Sequence, residues 1–428
     1  MFLSQSFVVL VVLALAISAT AVVRHTPTIT LPITKHFNTT GTLNLLVQDQ
    51  ARAKWLKSRA KGEHLAQREE SLPITNVAVS YTAAISVGNP ATTYTLIVDT
   101  GSSNTWVGAG TKYVATSTSM NTGESVSVTY GSGSFSGTEY TDQITLGSLA
   151  IKDQSIGVAS QSQGFQGVDG ILGIGPVSLT WGTVNNTDTV PTVADNLFSQ
   201  GTISTEVVAV SFEPTTKESV TNGELTFGDT DSSKYTGSIS YTPLTQTEPA
   251  CYYWGIDQSI TYGSTSILST TAGIVDTGTT LTLIASDALQ NYQKATGANL
   301  DNATGFLRIS SWQYDNLQNL DFNIGGNTYA LTPNAQIWPR SLNSYIGGDS
   351  YHVYLIVGDI GSDFGEGFDF INGQTWLERF YSVYVAGVIQ QQQPPPCSVP
   401  VLGMRPMLLV ARRYDATPQF YSATDTST

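Results

Sequence analysis

The sequence predicts a mainly β, bilobal protein in which two similar β-lobes face each other across an active cleft. Three observations carry that expectation. The 428 residues exceed what one small core needs. From residue 71 onward the chain reads as short alternating strands between Gly, Asn, Asp and Ser turns, as at 94–98, 125–130, 144–146 and 223–227. Finally, the stretch 97–107, IVDTGSSNTWV, returns in the second half at 274–284 as IVDTGTTLTLI. One copy per half implies two lobes presenting the same loop, with the cleft where they meet.

Taken in order, residues 7–17 form an apolar run followed by Ala19, Thr20 and Ala21, the A-x-A pattern of a cleaved export signal, so 1–21 is expected to be a signal peptide and the protein to be secreted. The run is too short to span a membrane. Three N-x-S/T acceptors, at Asn38, Asn185 and Asn302, fit that route. Residues 22–70 differ in character, with Lys35, Arg52, Lys54, Lys57, Arg59, Lys61 and Arg68 and a helix-like stretch from 45 to about 67. Between 22 and 75 there are 8 Lys/Arg against 4 Asp/Glu, leaving 11 against 29 in the rest of the chain. A basic segment ahead of an acidic body reads as a propeptide held by electrostatics, which low pH would loosen by protonating the body's carboxylates. The N-terminal lobe is expected over 71–250 and the C-terminal lobe over 251–428, with helices few: 194–198 and 286–296.

The net charge of -14 argues against nucleic acid or anionic membrane surfaces as partners. Two cysteines and four histidines supply no Cys/His zinc spacing, so neither a metal nor another cofactor is expected, and the fold must hold by packing. A serine or cysteine peptidase needs a histidine base, and after residue 70 only His352 remains, with no nucleophile motif near it. A carboxylate-pair glycosidase would not call for duplicated Asp-Thr-Gly loops.

In each copy an apolar strand runs into Asp-Thr-Gly, delivering Asp99 and Asp276 to tight turns where glycine admits other backbone closely. The Thr100 and Thr277 hydroxyls can bond the neighbouring loop. If the carboxyls meet at about 3 Å, their repulsion at an effective dielectric of 20 is roughly 5 kcal/mol, about 4 pKa units. They then titrate as a unit, so one can deprotonate water while the other protonates a scissile carbonyl oxygen.

DTGSSNTW at 99–106 and the second Asp-Thr-Gly-Thr resemble the pepsin family of aspartic endopeptidases. Between 71 and 384 the chain is similar to the fungal polyporopepsin type, in runs such as TYGSGSFSGTEYTD, DGILGIGP, DNLFSQGTI and AGIVDTGTTLTLIASDA. The resemblance implies an acid-active endopeptidase made as a zymogen, acting on protein and peptide substrates and silenced by its own propeptide. It implies Asp99 and Asp276 as the catalytic pair, Ser102 and Thr279 bonding their outer oxygens, and Gly101 and Gly278 against the substrate backbone. Tyr130, Gly131, Ser132 and Gly133 match the tip of a mobile flap, with Tyr130 bonding Trp106. The residues themselves agree, since Val126, Val128 and Tyr130 alternate as a strand and two glycines make a hairpin hinge. Ile171, Leu172 and Gly173 match the element threading behind the first Asp loop, and Ile371, Asn372 and Gly373 its partner, where the polar Asn372 departs from the pattern. In this family a lysine commonly sits against the pair in the zymogen, with Lys54 and Lys57 as candidates. A monomer is the default expectation.

After residue 384 the resemblance stops. The stretch 385–410 holds four Gln and three Pro in succession, which cannot supply a central strand. It reads as a retained intron or frame error replacing the last strands of the second lobe. Cys397 lies inside it, so a disulfide to Cys251 is not expected.

Overall fold

The structure, a computed structural model, describes residues 28–37, 44–60, 79–131 and 133–386, with the backbone of 407–412. The apolar leader, Asn38, Ser132, the Gln/Pro run and Cys397 lie outside the described residues.

Strand β1 (Ile29–Phe37) and helix α1 (Leu45–Ala60) come first. The N-terminal lobe then runs through β2 (Val79–Val87), β3 (Thr92–Asp99), β4 (Thr105–Val107), β5 (Met120–Tyr130), β6 (Gly133–Leu146), β7 (Leu149–Gln163) and β8 (Gly170–Gly173). Helix α2 (Val193–Ser199) leads to β9 (Val207–Ser211), β10 (Ser219–Phe227) and β11 (Ser240–Thr242). The C-terminal lobe holds β12 (Gly255–Tyr262), β13 (Thr265–Val275), β14 (Thr282–Ile284), helix α3 (Ser286–Thr296), β15 (Asn299–Leu300), β16 (Leu307–Ile309), β17 (Leu320–Ile324), β18 (Asn327–Leu331), β19 (Val353–Tyr354), β20 (Val357–Asp359) and β21 (Phe370–Asn372). Strands β22 (Phe380–Val385) and β23 (Met407–Arg412) return to the first sheet.

Thirteen strands make that sheet, in the order β11-β23-β22-β9-β10-β1-β2-β3-β8-β4-β7-β6-β5. Seven make the second, β18-β17-β12-β13-β21-β14-β20, and β15, β16 and β19 a small third. The expected mainly β, bilobal architecture is therefore what the chain forms. Period-2 alternation is visible in burial: on β5, Val126, Val128 and Tyr130 point inward and Ser127 and Thr129 outward. The glycosylation candidates Asn185 and Asn302 are both exposed.

Three features differ from expectation. Strand β1 is not among the expected elements, yet Ile29, Leu31, Ile33 and Phe37 alternate inward and the strand pairs with both β10 and β2. It is tied down by Lys35, which forms a buried ion pair with Glu378; Glu378 also accepts the Tyr81 hydroxyl at 2.8 Å. Removing one partner of such a pair strands the other charge, at about 3–5 kcal/mol. Secondly, Met407–Arg412 lies between β11 and β22, pairing Leu409 with Ser240 and with Ser382, so the later part of 385–410 does supply a strand. Within 385–410 the last proline is Pro406, and Met-Leu-Leu-Val-Ala-Arg carries apolar, strand-compatible residues with every ladder donor present. Thirdly, Cys251 is disulfide-bonded, which corrects the expectation that it stays unpaired.

Glu139 on β6 is buried and accepts a hydrogen bond from Ser155, while its second oxygen has no partner among the described residues. Burial pushes its carboxyl up to about 7, against the Ser155 hydrogen bond. A carboxyl that stays protonated in the fold but ionises in the unfolded chain loses stability for the fold as pH rises, here from about 4.5 to about 7. The size is up to about 3 kcal/mol. Glu139→Gln is therefore expected to flatten the fall of Tm over that window, read by thermal unfolding at several pH values.

Candidate active site

Strand β3 ends on Asp99 and runs parallel to β8, which places Asp99 opposite Gly173; in the other lobe β13 runs parallel to β21, with Val275 opposite Asn372. The strand-then-turn pattern of the two repeats thus becomes two matching loops, each backed by a strand from its own lobe. A side chain at Gly173 would collide with the Ser103 backbone, and one at Gly373 with the carbonyls of Leu281 and Thr279. Only glycine lets these backings approach so closely.

Threonine side chains lock the loops together across the cleft. The Thr100 N–H donates to Thr277 Oγ1 and the Thr277 N–H to Thr100 Oγ1, each at 2.9 Å. The Thr277 hydroxyl donates to the Val98 carbonyl at 2.9 Å and the Thr100 hydroxyl to the Val275 carbonyl at 3.3 Å. Four buried hydrogen bonds with a near-twofold arrangement fix the relative position of the carboxyls, each bond being worth about 1 kcal/mol net.

Asp99 and Asp276 are 1% and 0% exposed. Ser102 donates its hydroxyl to Asp99 Oδ2, and Thr279 its hydroxyl to Asp276 Oδ2 at 2.6 Å. The N–H groups of Gly101 and Gly278 donate to the two Oδ1 atoms at 3.1 and 3.2 Å. Each carboxyl is therefore oriented on both oxygens, and the two Oδ1 atoms face each other.

Between them sits Arg52 of α1. Its Nη2 donates to Asp99 Oδ1 at 2.5 Å and to Asp276 Oδ1 at 2.9 Å, while Nε donates to Asp276 Oδ2 at 2.7 Å. Burial alone would push the Asp276 carboxyl up; the Arg52 charge and hydrogen bond, with the Thr279 hydroxyl and the Gly278 N–H, outweigh it and hold it below the usual carboxylate range. The opposing charges in turn raise Arg52 above its ordinary value in spite of its burial.

The basic residue at the pair is thus neither of the two candidate lysines. Lys54 is exposed, and Lys57 bonds Ser362 and, at 3.2 Å, Glu366. Helix phase decides this: Leu45, Asp49, Arg52, Ala53 and Leu56 share the buried face at spacings of three and four, and Lys54 falls opposite. That spacing, present in the sequence, was the signal that could have singled out Arg52. One turn earlier, Asp49 accepts the N–H groups of Thr280 and Leu281 at 3.1 and 2.7 Å. Near the other end Tyr253 donates its hydroxyl to the Leu56 carbonyl at 2.8 Å, so α1 fills the cleft along its length.

The hairpin of β5 and β6, expected to be a flap, lies against the helix. A side chain at Gly131 would strike the Arg52 backbone, and the Trp55 ring lies 5.8 Å from that of Tyr130. Burial pushes the Tyr130 hydroxyl up, and hydrogen bonding from Trp106 is among the smaller influences that lower it, although the Tyr130 hydroxyl and Trp106 Nε1 do not meet strict hydrogen-bond geometry. Ring packing also sets the phenol, with Trp55 on one side and Phe165 edge-on at 5.6 Å on the other, while Trp106 stacks on Phe135 at 4.2 Å. Gly101 and Gly278 flank the Arg52 guanidinium, which would meet any side chain placed there.

Comparison with known proteins agrees with this geometry. The family model for eukaryotic aspartyl proteases matches residues 80–388. Polyporopepsin of Irpex lacteus is 70% identical over 317 residues, 73% of this chain and 93% of its own. Pepsin A of Bos taurus is 30% identical over 326 residues, 72% of this chain and 82% of its own. The crystal structure of an aspartic proteinase from Irpex lacteus aligns with a TM-score of 0.74 at 57% identity, covering 91% of this chain and 99% of that one.

Proposed function

Because this chain belongs to the eukaryotic aspartyl protease family and is an aspartic endopeptidase, we propose that Asp99 and Asp276 are its catalytic pair, that it cleaves internal peptide bonds of proteins in acid outside the cell, and that residues 22–70 are a propeptide that silences it. The observation that carries this reading is the Arg52 guanidinium seated across both carboxyls of the duplicated loops.

With the helix gone, two buried carboxyls whose Oδ1 atoms face each other share one proton in mild acid, because both cannot carry charge at that separation. The ionised member takes a proton from a water molecule, whose oxygen adds to the scissile carbonyl carbon. The other member gives its proton to the carbonyl oxygen. The gem-diol intermediate collapses as one carboxyl gives its proton to the amide nitrogen while one of the two hydroxyls gives its proton to the other carboxylate and re-forms the C=O bond; the C–N bond breaks and the pair again holds one proton. Gly101 and Gly278 leave room for a peptide backbone beside the pair, and the hairpin that carries Tyr130, Gly131 and Gly133 is the part placed to close over it. In the precursor, Arg52 Nη2 bridges the two Oδ1 atoms, where the attacking water would have to be held.

Cleavage of a denatured protein by the secreted, acid-treated product, followed from about pH 2 to about pH 7, tests the reading. Activity confined to acid, appearing together with loss of the N-terminal segment, supports it. A folded product lacking that segment and inert throughout would overturn it.

Asp49 adds a pH dependence of opposite sign to that of Arg52. Burial pushes its carboxyl up to about 7, against the N–H groups of Leu281 and Thr280 and the charge of Arg52, with Asp276 adding to the rise. Docking α1 therefore takes up a proton at Asp49 between about pH 4 and 7, and this contact favours the docked helix more as pH falls. Release in acid must come from the other contacts. Asp49→Asn, which carries no ionisation cost, is expected to hold α1 docked at least as well at every pH above about 4 and to move activation to the same or a lower pH, as measured by conversion of the full chain at stepped pH.

A further inference from the structure

Asn372 is the polar residue that departs from the family pattern behind the second Asp loop, and the structure gives it a partner. Its Nδ2 donates to Gln258 Oε1 at 2.8 Å, and Gln258 Nε2 donates back to Asn372 Oδ1 at 3.2 Å. The two side chains are 0% and 1% exposed, so this is a reciprocal amide pair sealed in the core of the C-terminal lobe. The Asn372 backbone lies directly behind the reacting group, because its carbonyl accepts the Asp276 N–H at 3.1 Å. Gln258 stands on β12, on the far side of β13 from Asn372, where the register of β12 against β13 shifts.

The next residues continue the contact along the loop. Gln374 donates Nε2 to the Thr277 carbonyl at 2.9 Å and its own N–H to the Thr279 carbonyl at 2.8 Å, and the Thr375 N–H reaches the Thr280 carbonyl at 3.0 Å. In the N-terminal lobe β8 backs Asp99 with a different hydrogen bond, the Ile174 N–H donating to the Asp99 carbonyl at 2.9 Å, and the matching side chains, Leu172 and Ile174, are apolar. The amides are thus an asymmetry between two otherwise matched halves. Apolar contacts tolerate sliding, whereas a reciprocal hydrogen-bonded pair is satisfied in one arrangement only.

We propose that the Gln258–Asn372 pair is a positioning device for Asp276, fixing through the Asn372 backbone where that carboxyl stands relative to Asp99. The proposal rests on the reading of Asp276 as half of the catalytic pair, so Asp276→Asn is measured alongside; a fully active Asp276→Asn enzyme would defeat that reading, whereas an inert one leaves the positioning question to the variants below.

The test compares Asn372→Leu, the double variant Gln258→Leu/Asn372→Leu, and Asn372→Asp in the acid-activated enzyme. Asn372→Leu leaves the Gln258 amide buried without its partner, so both Tm and kcat should fall. The double variant removes both polar groups and should recover Tm, yet kcat should stay lower by on the order of ten- to a hundredfold, with KM within about twofold of wild type. Asn372→Asp keeps a donor and an acceptor while its buried carboxyl is protonated. Its kcat should match wild type at the acid end and fall at a lower pH than wild type does. A double variant with wild-type kcat overturns the proposal, and so does an Asn372→Asp pH profile that superimposes on the wild type; if neither leucine variant folds, that profile decides.

Discussion

Replacing Asp99 or Asp276 by asparagine is expected to lower kcat by roughly 10²–10⁴-fold or more, the range for removing a positioned acid or base, with little change in Tm. Asparagine keeps the shape: its amide oxygen can still accept the glycine N–H, and its NH2 can donate to the Ser102 or Thr279 hydroxyl oxygen once that hydroxyl rotates, so the loops should survive. What it cannot do is carry the proton. Each variant alone should be as inactive as the double, because the two groups act as one unit and losses within a unit do not add. Progress curves of peptide cleavage, with thermal unfolding of the same samples, check this; a single variant with near wild-type kcat would show that the remaining carboxyl suffices. The same substitutions should loosen α1, since Arg52 loses an anion with each.

The parts of this molecule legible in sequence are those that local pattern dictates. Alternation and turn residues give the strands, and α3 occupies 286–296 as its pattern predicts because a helix with its own apolar face needs little tertiary help. The duplicated Asp-Thr-Gly points to two matched loops before any distance is known. What escaped depends on contacts between distant segments. Strand β1 sits in a segment whose basic residues dominate its composition, and its alternation has meaning only once β10 and β2 are there to receive it. Arg52 is one of several cations on one helix, and which of them reaches the carboxyls follows from helix phase and cleft depth. Asn372, which reads as a weakened motif, is half of a pair whose other member lies 114 residues earlier. Strand β23 was hidden by the Gln/Pro run beside it, since composition averaged over 385–410 obscures the strand that begins at Met407 and runs past its end.

Arg52→Ala in the full chain is expected to yield a precursor that cleaves peptides without first losing its N-terminal segment. The guanidinium makes three hydrogen bonds to two buried carboxyls, and breaking such a pair by removing one partner costs about 3–5 kcal/mol. That corresponds to a shift of roughly 10²–10⁴-fold towards the undocked helix, enough to expose the pair in a measurable fraction of molecules. Because Arg52 holds the Asp276 carboxyl below its usual range, the contact is strongest while that carboxyl is ionised and fades as pH falls through its depressed value. Arginine does not itself titrate, so all of the acid sensitivity of this lock belongs to the carboxyls. Arg52→Lys should be intermediate: one ammonium can lie between the two Oδ1 atoms but cannot also supply the Nε bond to Asp276 Oδ2, and the precursor should open at a higher pH than wild type. The measurement is initial-rate cleavage of a short peptide by the uncleaved chain at stepped pH, with gel analysis to confirm that the segment is intact. An uncleaved Arg52→Ala precursor as silent as wild type would mean that Asp49, Trp55 and Leu56 hold the cleft shut without the charge.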